Sequence, residues 1–234
     1  MPNVWRRRRT LGSGIPSWIW DLIGNYHDVG NNPDHVAMVP TGTVSLGNTS
    51  FNPSGAAHIG DGAVNSYLQA SGMTIDPSNG LTMVCAVKYD TFTSSPTFIA
   101  CVGTGTNFIA LYSQSGEGRG YIQIGGVSAY GYYAGSMPDN TPRVVAARYY
   151  PPVGALNGGI KFDCFYNDHD APVGSPATIS GLAALAPMSL VTVGNYIAPA
   201  TGYNNPGLYE GCRIYGAALS DTDLEAQVVQ LFNR

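Results

Sequence analysis

Charged residues are scarce in this sequence: Asp, Glu, Lys and Arg make up 11% of its 234 residues, against roughly 25% in an average soluble domain. Disorder is nevertheless excluded, because disordered chains have few aromatic residues and here 11% are aromatic. No apolar run approaches the roughly 18 residues of a membrane-spanning helix, so we expect no membrane insertion. The 30 glycines have no period of three, which excludes collagen. A compact, turn-rich, mostly β domain remains.

Lysine is almost absent, and the arginines are unevenly placed. Four of the eleven basic residues are consecutive, at Arg6, Arg7, Arg8 and Arg9. The chain has a net charge of −4, and without this cluster seven basic residues face 15 acidic ones, a balance of −8. An acidic body repels a phosphate backbone, which argues against nucleic acid as a partner. Such a split of charge is typical of an interaction tail.

Residues 1–34 are predicted to form an extended N-terminal arm, separate from a domain at 35–234. The arm contains the arginine cluster and all three tryptophans, Trp5, Trp18 and Trp20. Tryptophans pack more often than they are exposed, against the same chain in the simplest case and against a neighbouring subunit in the next. We assign the arginines and the tryptophans to partner binding. We also expect that a chain without residues 1–20 still folds.

The sequence has no clear export leader and no paired cysteine motif. Pro16 and Asp21 interrupt the apolar stretch that follows the arginines, and a leader needs that stretch unbroken. We therefore predict no secretion signal. The four cysteines are Cys85, Cys101, Cys164 and Cys212. They lack CxxC or zinc-ligand spacing, so we expect buried, reduced thiols.

Short apolar runs bounded by Gly, Pro, Asn and Ser predict about eight strands. They lie at 81–89, 97–103, 107–113, 120–125, 143–150, 159–167, 189–194 and 208–215. In 159–167, Ile160, Phe162 and Cys164 share one face, opposite Lys161 and Asp163, which predicts one buried and one solvated face. Strands without helical crossovers indicate two packed antiparallel sheets, an all-β sandwich.

One short helix is predicted at the C-terminus. Ser220 can act as its N-cap, and Asp221 and Asp223 suit the positive N-terminus of a helix. An apolar stripe follows at Leu224, Val228, Leu231 and Phe232. Its spacing predicts a helix that docks on the sandwich.

The stretch GLYEGCRIYGAALSDTDL at 207–224 resembles the C-terminal signature of laminin-G-like, concanavalin A-like jelly rolls. A glycine opens the strand, the triplet Arg213-Ile214-Tyr215 ends it, and an Ala-Leu-Ser-Asp turn at 218–221 leads into an acidic helix. Weaker similarity lies in NSYL (65–68) with LTMV (81–84), in PRVVAAR (142–148), in KFDCFYN (161–167) and in PMSLVTVG (187–194). The resemblance covers about 37–232 and implies an antiparallel jelly-roll sandwich.

The resemblance implies a recognition scaffold, because lectins, adhesion modules, glycanases and virion proteins share it, and it does not settle function. Glycanases of this family carry paired carboxylates on one strand, whereas the densest acidic cluster here, Asp221 to Glu225, falls on the predicted helix, where capping accounts for it. We therefore predict a protein that is not an enzyme. Asp61 and the NDHD loop at 167–170 are oxygen-rich but too small for calcium on their own. We predict no metal and no cofactor.

Tyrosines are the candidate ligand-binding residues, because each offers an apolar face and a hydroxyl. Ordinary sandwich packing is the alternative for each of them. The candidates are Tyr130, Tyr132, Tyr133, Tyr149, Tyr150, Tyr196 and Tyr203.

The favoured interpretation is a non-enzymatic subunit of a bacteriophage particle, a capsid decoration or fibre protein. The basic arm would bind other virion proteins or copies of this chain, and the sandwich would bind host-surface glycan. Its localisation would be the virion, assembled in the host cytoplasm. A stand-alone carbohydrate-binding lectin is the alternative, and a glycan hydrolase is the third hypothesis.

The cysteine pattern generates the first testable prediction. In a thiol titration without reductant, all four cysteines should react in denaturant and few in the native protein, because burial suppresses the reactive thiolate. Denatured protein without titratable thiols would show disulfides and contradict it.

Overall fold

The computed structural model describes residues 15–50, 55–60, 65–90, 96–134, 140–153, 158–166, 177–199, 202–203 and 205–232. In chain order the strands are β1 Ser17–Asp21, β2 Val39–Thr41, β3 Val44–Ser45, β4 Ala57–Ile59, β5 Tyr67–Ile75, β6 Leu81–Tyr89, β7 Thr97–Thr104, β8 Asn107–Gln114, β9 Glu117–Ile124, β10 Val127–Ala134, β11 Arg143–Tyr150, β12 Gly158–Tyr166, β13 Ala177–Leu182, β14 Met188–Val193 and β15 Gly207–Tyr215. One α-helix, α1, spans Asp221–Phe232.

The strands form two antiparallel sheets. Sheet A has eight strands in the order β13-β12-β11-β6-β15-β4-β3, with β1 also paired to β15. Sheet B has seven strands in the order β10-β9-β8-β7-β14-β5-β2. The main hydrophobic cluster lies between the two sheets. The predicted all-β sandwich with a short C-terminal helix is confirmed.

All eight predicted strands are present, each within three residues of its predicted bounds. One predicted face is wrong. Asp163 on β12 is buried rather than solvated, because Arg148 on the neighbouring strand pairs with it, Nη2 to Oδ2 at 2.9 Å. Phe165, on the same face of β12, is buried as well. The outer face of sheet A is therefore covered.

Helix α1 provides that cover. Leu224, Val228 and Leu231 are buried in a second hydrophobic cluster with residues of β6, β11 and β12, as the apolar stripe predicts. The predicted N-cap is also confirmed, because the backbone N of Asp223 donates to Ser220 Oγ at 3.1 Å. Capping thus accounts for the start of the acidic cluster.

Arg148 ties the helix to sheet A. Its Nη1 donates to Leu219 O at 3.1 Å and to Asp221 Oδ1 at 2.5 Å. Burial disfavours the charged guanidinium, but Asp163 and Asp221 outweigh this and raise the pKa of Arg148. The hydrogen bond from Arg148 lowers the pKa of Asp221. Both sides of this contact therefore stay charged, and the buried arginine has acceptors for its charge.

The N-terminal segment is part of the sandwich from residue 17 onward. β1 pairs with β15 from Ser17↔Tyr215 to Asp21↔Gly211. Trp18 and Trp20 are 3% and 0% exposed and belong to the core between the sheets, and Trp20 Nε1 donates to Val36 O at 2.7 Å. The assignment of these two tryptophans to partner binding is therefore wrong. Their indoles pack against their own chain.

A polar turn at 28–32 fastens β1 in place. The Oδ1 atom of Asp28 accepts from the backbone N of Ile19 and of Gly30, both at 2.7 Å. Asn31 Oδ1 accepts from the backbone N and the Oγ of Ser17, at 2.8 and 2.9 Å. A Cβ on Gly30 would lie 1.9 Å from Ser17 O, so the turn requires glycine there.

The described part of the predicted arm, residues 15–34, thus completes sheet A instead of extending from it. Trp5, Arg6, Arg7, Arg8 and Arg9 lie outside the described residues, and their assignment to partner binding stays a prediction. A chain without residues 1–20 would lose Trp18, Trp20 and most of β1. We therefore withdraw the expectation that it folds normally.

The four cysteines are free and buried, as predicted. Burial raises the pKa of Cys164 to about 12. The thiolate that would react with a probe is therefore suppressed in the folded chain.

The pairing of β1 with β15 predicts that two N-terminal truncations differ in stability. A chain that starts at residue 15 keeps every described contact and should melt near the full-length temperature. A chain that starts at residue 22 uncovers part of the β15 edge and removes two core indoles, each worth about 3–5 kcal/mol, so it should unfold or aggregate at room temperature. Circular dichroism melts check both. Equal melting of the two truncations would show that β1 does not belong to the fold.

The packing of α1 on sheet A predicts that aspartate substitutions on its buried and exposed faces differ in their cost to stability. Leu224→Asp places an unpaired charge in a buried site and should lower the free energy of unfolding by about 3 kcal/mol or more. Val229→Asp introduces the same aspartate at a partly exposed position of the same helix (37% exposed). It should lower the free energy of unfolding by about 1 kcal/mol at most. Urea denaturation measures both values. Similar values for the two variants would contradict docking of the helix.

Candidate functional site

The outer face of sheet B is aromatic. On β8, Phe108 and Tyr112 point outward, whereas Ile109 and Leu111 between them belong to the core between the sheets. Phe98 on β7 and Tyr121 on β9 join the outward rings. Because successive side chains of a strand alternate between faces, apolar residues at every position give a sheet that is hydrophobic on both sides.

The loop between β14 and β15 crosses this face and is pinned near both ends. Near its start, Gly194 N donates to Ile99 O at 2.8 Å. Near its end, Phe98 N donates to Tyr203 O at 3.0 Å and Asn205 N donates to Gly194 O at 2.9 Å. These backbone bonds hold Tyr196 and Tyr203 over the sheet. The tyrosines are therefore positioned before any ligand arrives.

The rings form a contact network with Phe98 at its centre. Its centroid lies 5.4 Å from Tyr112, 4.8 Å from Tyr196 and 5.7 Å from Tyr203, the last edge-on at 89°. Tyr196 also contacts Phe108 edge-on at 5.3 Å. Tilted and edge-on pairs at these separations are favourable ring geometries. The network presents ring faces and edges to its surroundings.

A cleft of about 300 Å³ opens among these rings. Among the described residues, seven line it: Pro96, Phe98, Tyr112, Gln114, Tyr121, Tyr196 and Tyr203. Its volume lies at the lower end of the roughly 300–1,000 Å³ of small-molecule sites, and such sites combine apolar walls with a few polar groups. Here the polar groups are tyrosine hydroxyls and one amide.

The polar rim is ordered by Arg119. Its Nη1 donates to Gln114 Oε1 at 2.6 Å, and its Nη2 pairs with Glu117 Oε2 at 3.0 Å. Tyr121 is held as well, with its hydroxyl 2.5 Å from Ser128 Oγ. Burial raises the pKa of Tyr196, so this hydroxyl is protonated at neutral pH and can both donate and accept.

Two of the seven predicted tyrosines meet at this cleft, Tyr196 and Tyr203. Tyr149 is wrong as a ligand residue: it is fully buried in sheet A, where its hydroxyl donates to Ala183 O and accepts from Leu185 N, both at 3.0 Å. Tyr130 and Tyr150 are exposed but do not line the cleft. The side chains of Tyr132 and Tyr133 lie outside the described residues.

The sequence did not lead us to the other five lining residues, Pro96, Phe98, Tyr112, Gln114 and Tyr121. A signal for three of them exists, since each of strands β7, β8 and β9 contains an aromatic residue, and Phe108 and Tyr112 on β8 have the even spacing that places both on one face. That signal identifies the ring-bearing face of each strand. It does not identify the partner loop, which lies about 90 residues further along the chain.

The described residues offer little for catalysis or metal binding. No three His, Cys, Asp or Glu side chains converge in the part of the chain that the structure describes. Glu210 is buried at the bulge between β15 and β6. Asp61 and the loop at 167–170 lie outside the described ranges. No described helix is long and apolar enough to cross a membrane.

No protein-family model matches the sequence, and no curated protein does. Solved structures do match. The botulinum neurotoxin type G receptor-binding domain superposes with a TM-score of 0.61 at 10% identity, over 91% of this chain and 50% of that one. The binding domain of botulinum neurotoxin DC, in complex with rat synaptotagmin II, superposes with a TM-score of 0.63 at 10% identity. The match covers 87% of this chain and 49% of that one.

A structure of botulinum neurotoxin type C superposes with a TM-score of 0.64 at 10% identity, over 93% of this chain and 51% of that one. Cell entry of that toxin depends on interaction with two ganglioside molecules. The chain therefore spans about half the length of these structures. At such identities the likeness concerns the fold alone. The described sandwich is similar to part of a receptor-binding domain.

Proposed function

We propose that this chain is a non-enzymatic recognition module that binds glycan in the aromatic cleft of sheet B. The observation that carries the proposal is the cleft itself, with Phe98 as its floor and Tyr112, Tyr196 and Tyr203 around it. A sugar ring has an apolar face of C–H groups and a rim of hydroxyls. A site of ring faces, phenol hydroxyls and one amide matches both parts.

Preorganisation favours binding at this site. The loop that bears Tyr196 and Tyr203 is fixed by backbone hydrogen bonds to β7, and Tyr112 is nearly buried against Phe98. Side chains that are already immobile lose little entropy when a ligand binds. The cleft therefore does not have to close over its ligand.

The lining supports binding rather than hydrolysis. Hydrolysis of a glycosidic bond by the usual route needs two carboxyl groups about 5–9.5 Å apart, on either side of the bond. None of the described lining residues is acidic, and Glu117 beside them is paired with Arg119. Receptor-binding domains among the similar structures support the same conclusion.

The ganglioside dependence of the type C neurotoxin structure supports a glycan ligand, and the synaptotagmin complex keeps a protein ligand as the second hypothesis. We also propose the setting that the sequence predicts, a bacteriophage particle in which the basic N-terminal residues attach the module. The four consecutive arginines support it, since such a cluster steers a chain towards acidic surfaces. Other virion proteins or copies of this acidic chain would be the acceptors.

A glycan array tests the proposal. Full-length protein should retain a defined set of printed glycans, and Tyr203→Ala should weaken that binding about tenfold, because it removes an exposed wall of the cleft. Tyr150→Ala is the matched control, since Tyr150 is as exposed as Tyr203, at 41% against 39%, but lies in sheet A. Absence of binding to every printed glycan, or an equal loss in both variants, would contradict glycan recognition at this cleft.

A further inference from the structure

None of the seven lining residues that the structure describes carries a formal charge. The segments that adjoin the cleft in sequence, 91–95 and 200–204, contain no Asp, Glu, Lys or Arg either. An anionic sugar that enters an uncharged, partly apolar site gives up hydration of its carboxylate and gains no ion pair in return. A neutral sugar gives up only hydroxyl hydration, which the phenols and the amide can replace.

The guanidinium that contacts the lining is already engaged. Arg119 pairs with Glu117 at 3.0 Å and donates to Gln114 Oε1 at 2.6 Å. An acidic ligand would therefore have to compete with Glu117 for this cation, and Glu117 would repel it. With both ions present, the Arg119–Glu117 pair has no net charge. It therefore offers little electrostatic attraction to an anionic ligand.

Arg119 also determines what Gln114 can offer. The side-chain oxygen of Gln114 accepts from the guanidinium, which fixes the orientation of the amide and leaves its Nε2 hydrogens as donors. An N–H donor suits the lone pairs of a sugar hydroxyl or ring oxygen. The hydrogen-bonding direction of Gln114 is thus set by its neighbour Arg119.

We infer that the cleft binds a neutral sugar unit, stacked on the aromatic rings and oriented by the amide donor of Gln114, and that it discriminates against sialylated and other acidic sugars. This inference rests on the proposed function. It differs from what the ganglioside-dependent neurotoxin structure alone would suggest, since gangliosides carry sialic acid.

The first experiment uses an array of glycan pairs, each pair consisting of a neutral structure and the same structure with a terminal sialic acid. The full-length protein should retain neutral members at least about tenfold more strongly, and raising the salt concentration should leave that binding unchanged, because no ion pair is formed. Stronger retention of the sialylated members would overturn the inference and leave the proposed function intact. Retention of neither member would overturn both.

The second experiment tests Gln114. Gln114→Glu preserves size and an acceptor for Arg119 but replaces the donor by a carboxylate, so binding to the retained neutral glycans should weaken about fivefold or more. Gln123→Glu, the same change on strand β9 outside the cleft lining, is the matched control and should bind as the parent does. Wild-type affinity of Gln114→Glu, or an equal loss in the control, would overturn the assigned role. Gln114→Met, which removes the donor without adding charge, replaces Gln114→Glu if the melting temperature of that variant falls.

Discussion

The constraint on which the rest of this structure depends is that the central strands of both sheets are buried on both of their faces. Strands β6, β11 and β15 in sheet A, and β7 and β8 in sheet B, are buried along almost their whole length. Two packed sheets bury only their inner faces. Each outer face therefore needs a further element over it, since exposed apolar surface costs about 25 cal/mol per Å². Helix α1 covers sheet A, and the loop after β14 covers part of sheet B.

The two covers differ in completeness, and this difference creates the cleft. On sheet A, the helix residues Leu224 and Val228 are buried, and the helix N-terminus is closed by the Arg148 ion pairs. On sheet B, the loop that carries Tyr196 and Tyr203 covers only part of the aromatic outer face, so some ring surface remains in contact with solvent. Exposed apolar surface with polar groups at its margin is typical of binding sites. The candidate site is thus the part of the second outer face that its cover leaves open.

The strands of the sandwich were predictable because their signal is local. The run 81–89, for example, is apolar at every position except Thr82 and Lys88 and matches β6. β1 was missed because its two tryptophans sit beside an arginine cluster, which made the whole segment resemble an arm, and nothing local indicates that the turn at 28–32 binds it. Only two of the seven described lining residues of the cleft were found, for a related reason. Tyr196 and Tyr203 stand out in a loop, whereas Phe98 and Tyr112 look like core residues until the loop that crosses them is known. Tyr149 shows the opposite error, because it was predicted to bind a ligand but is a core residue. Its hydroxyl is satisfied by partners within the chain.

The pairing of β1 changes what the N-terminal residues can contribute to attachment. Trp18 and Trp20 are committed to the core, so an anchor formed by the N-terminus has Trp5 as its only tryptophan, alongside the four arginines. Such an anchor depends more on charge than on buried aromatic area, and its strength should respond to salt. The point where it joins the sandwich is β1, in sheet A, whereas the cleft lies on the outer face of sheet B. If the module is attached next to β1, the cleft on sheet B would stay free, so the proposed attachment and the proposed glycan recognition would not compete for the same surface.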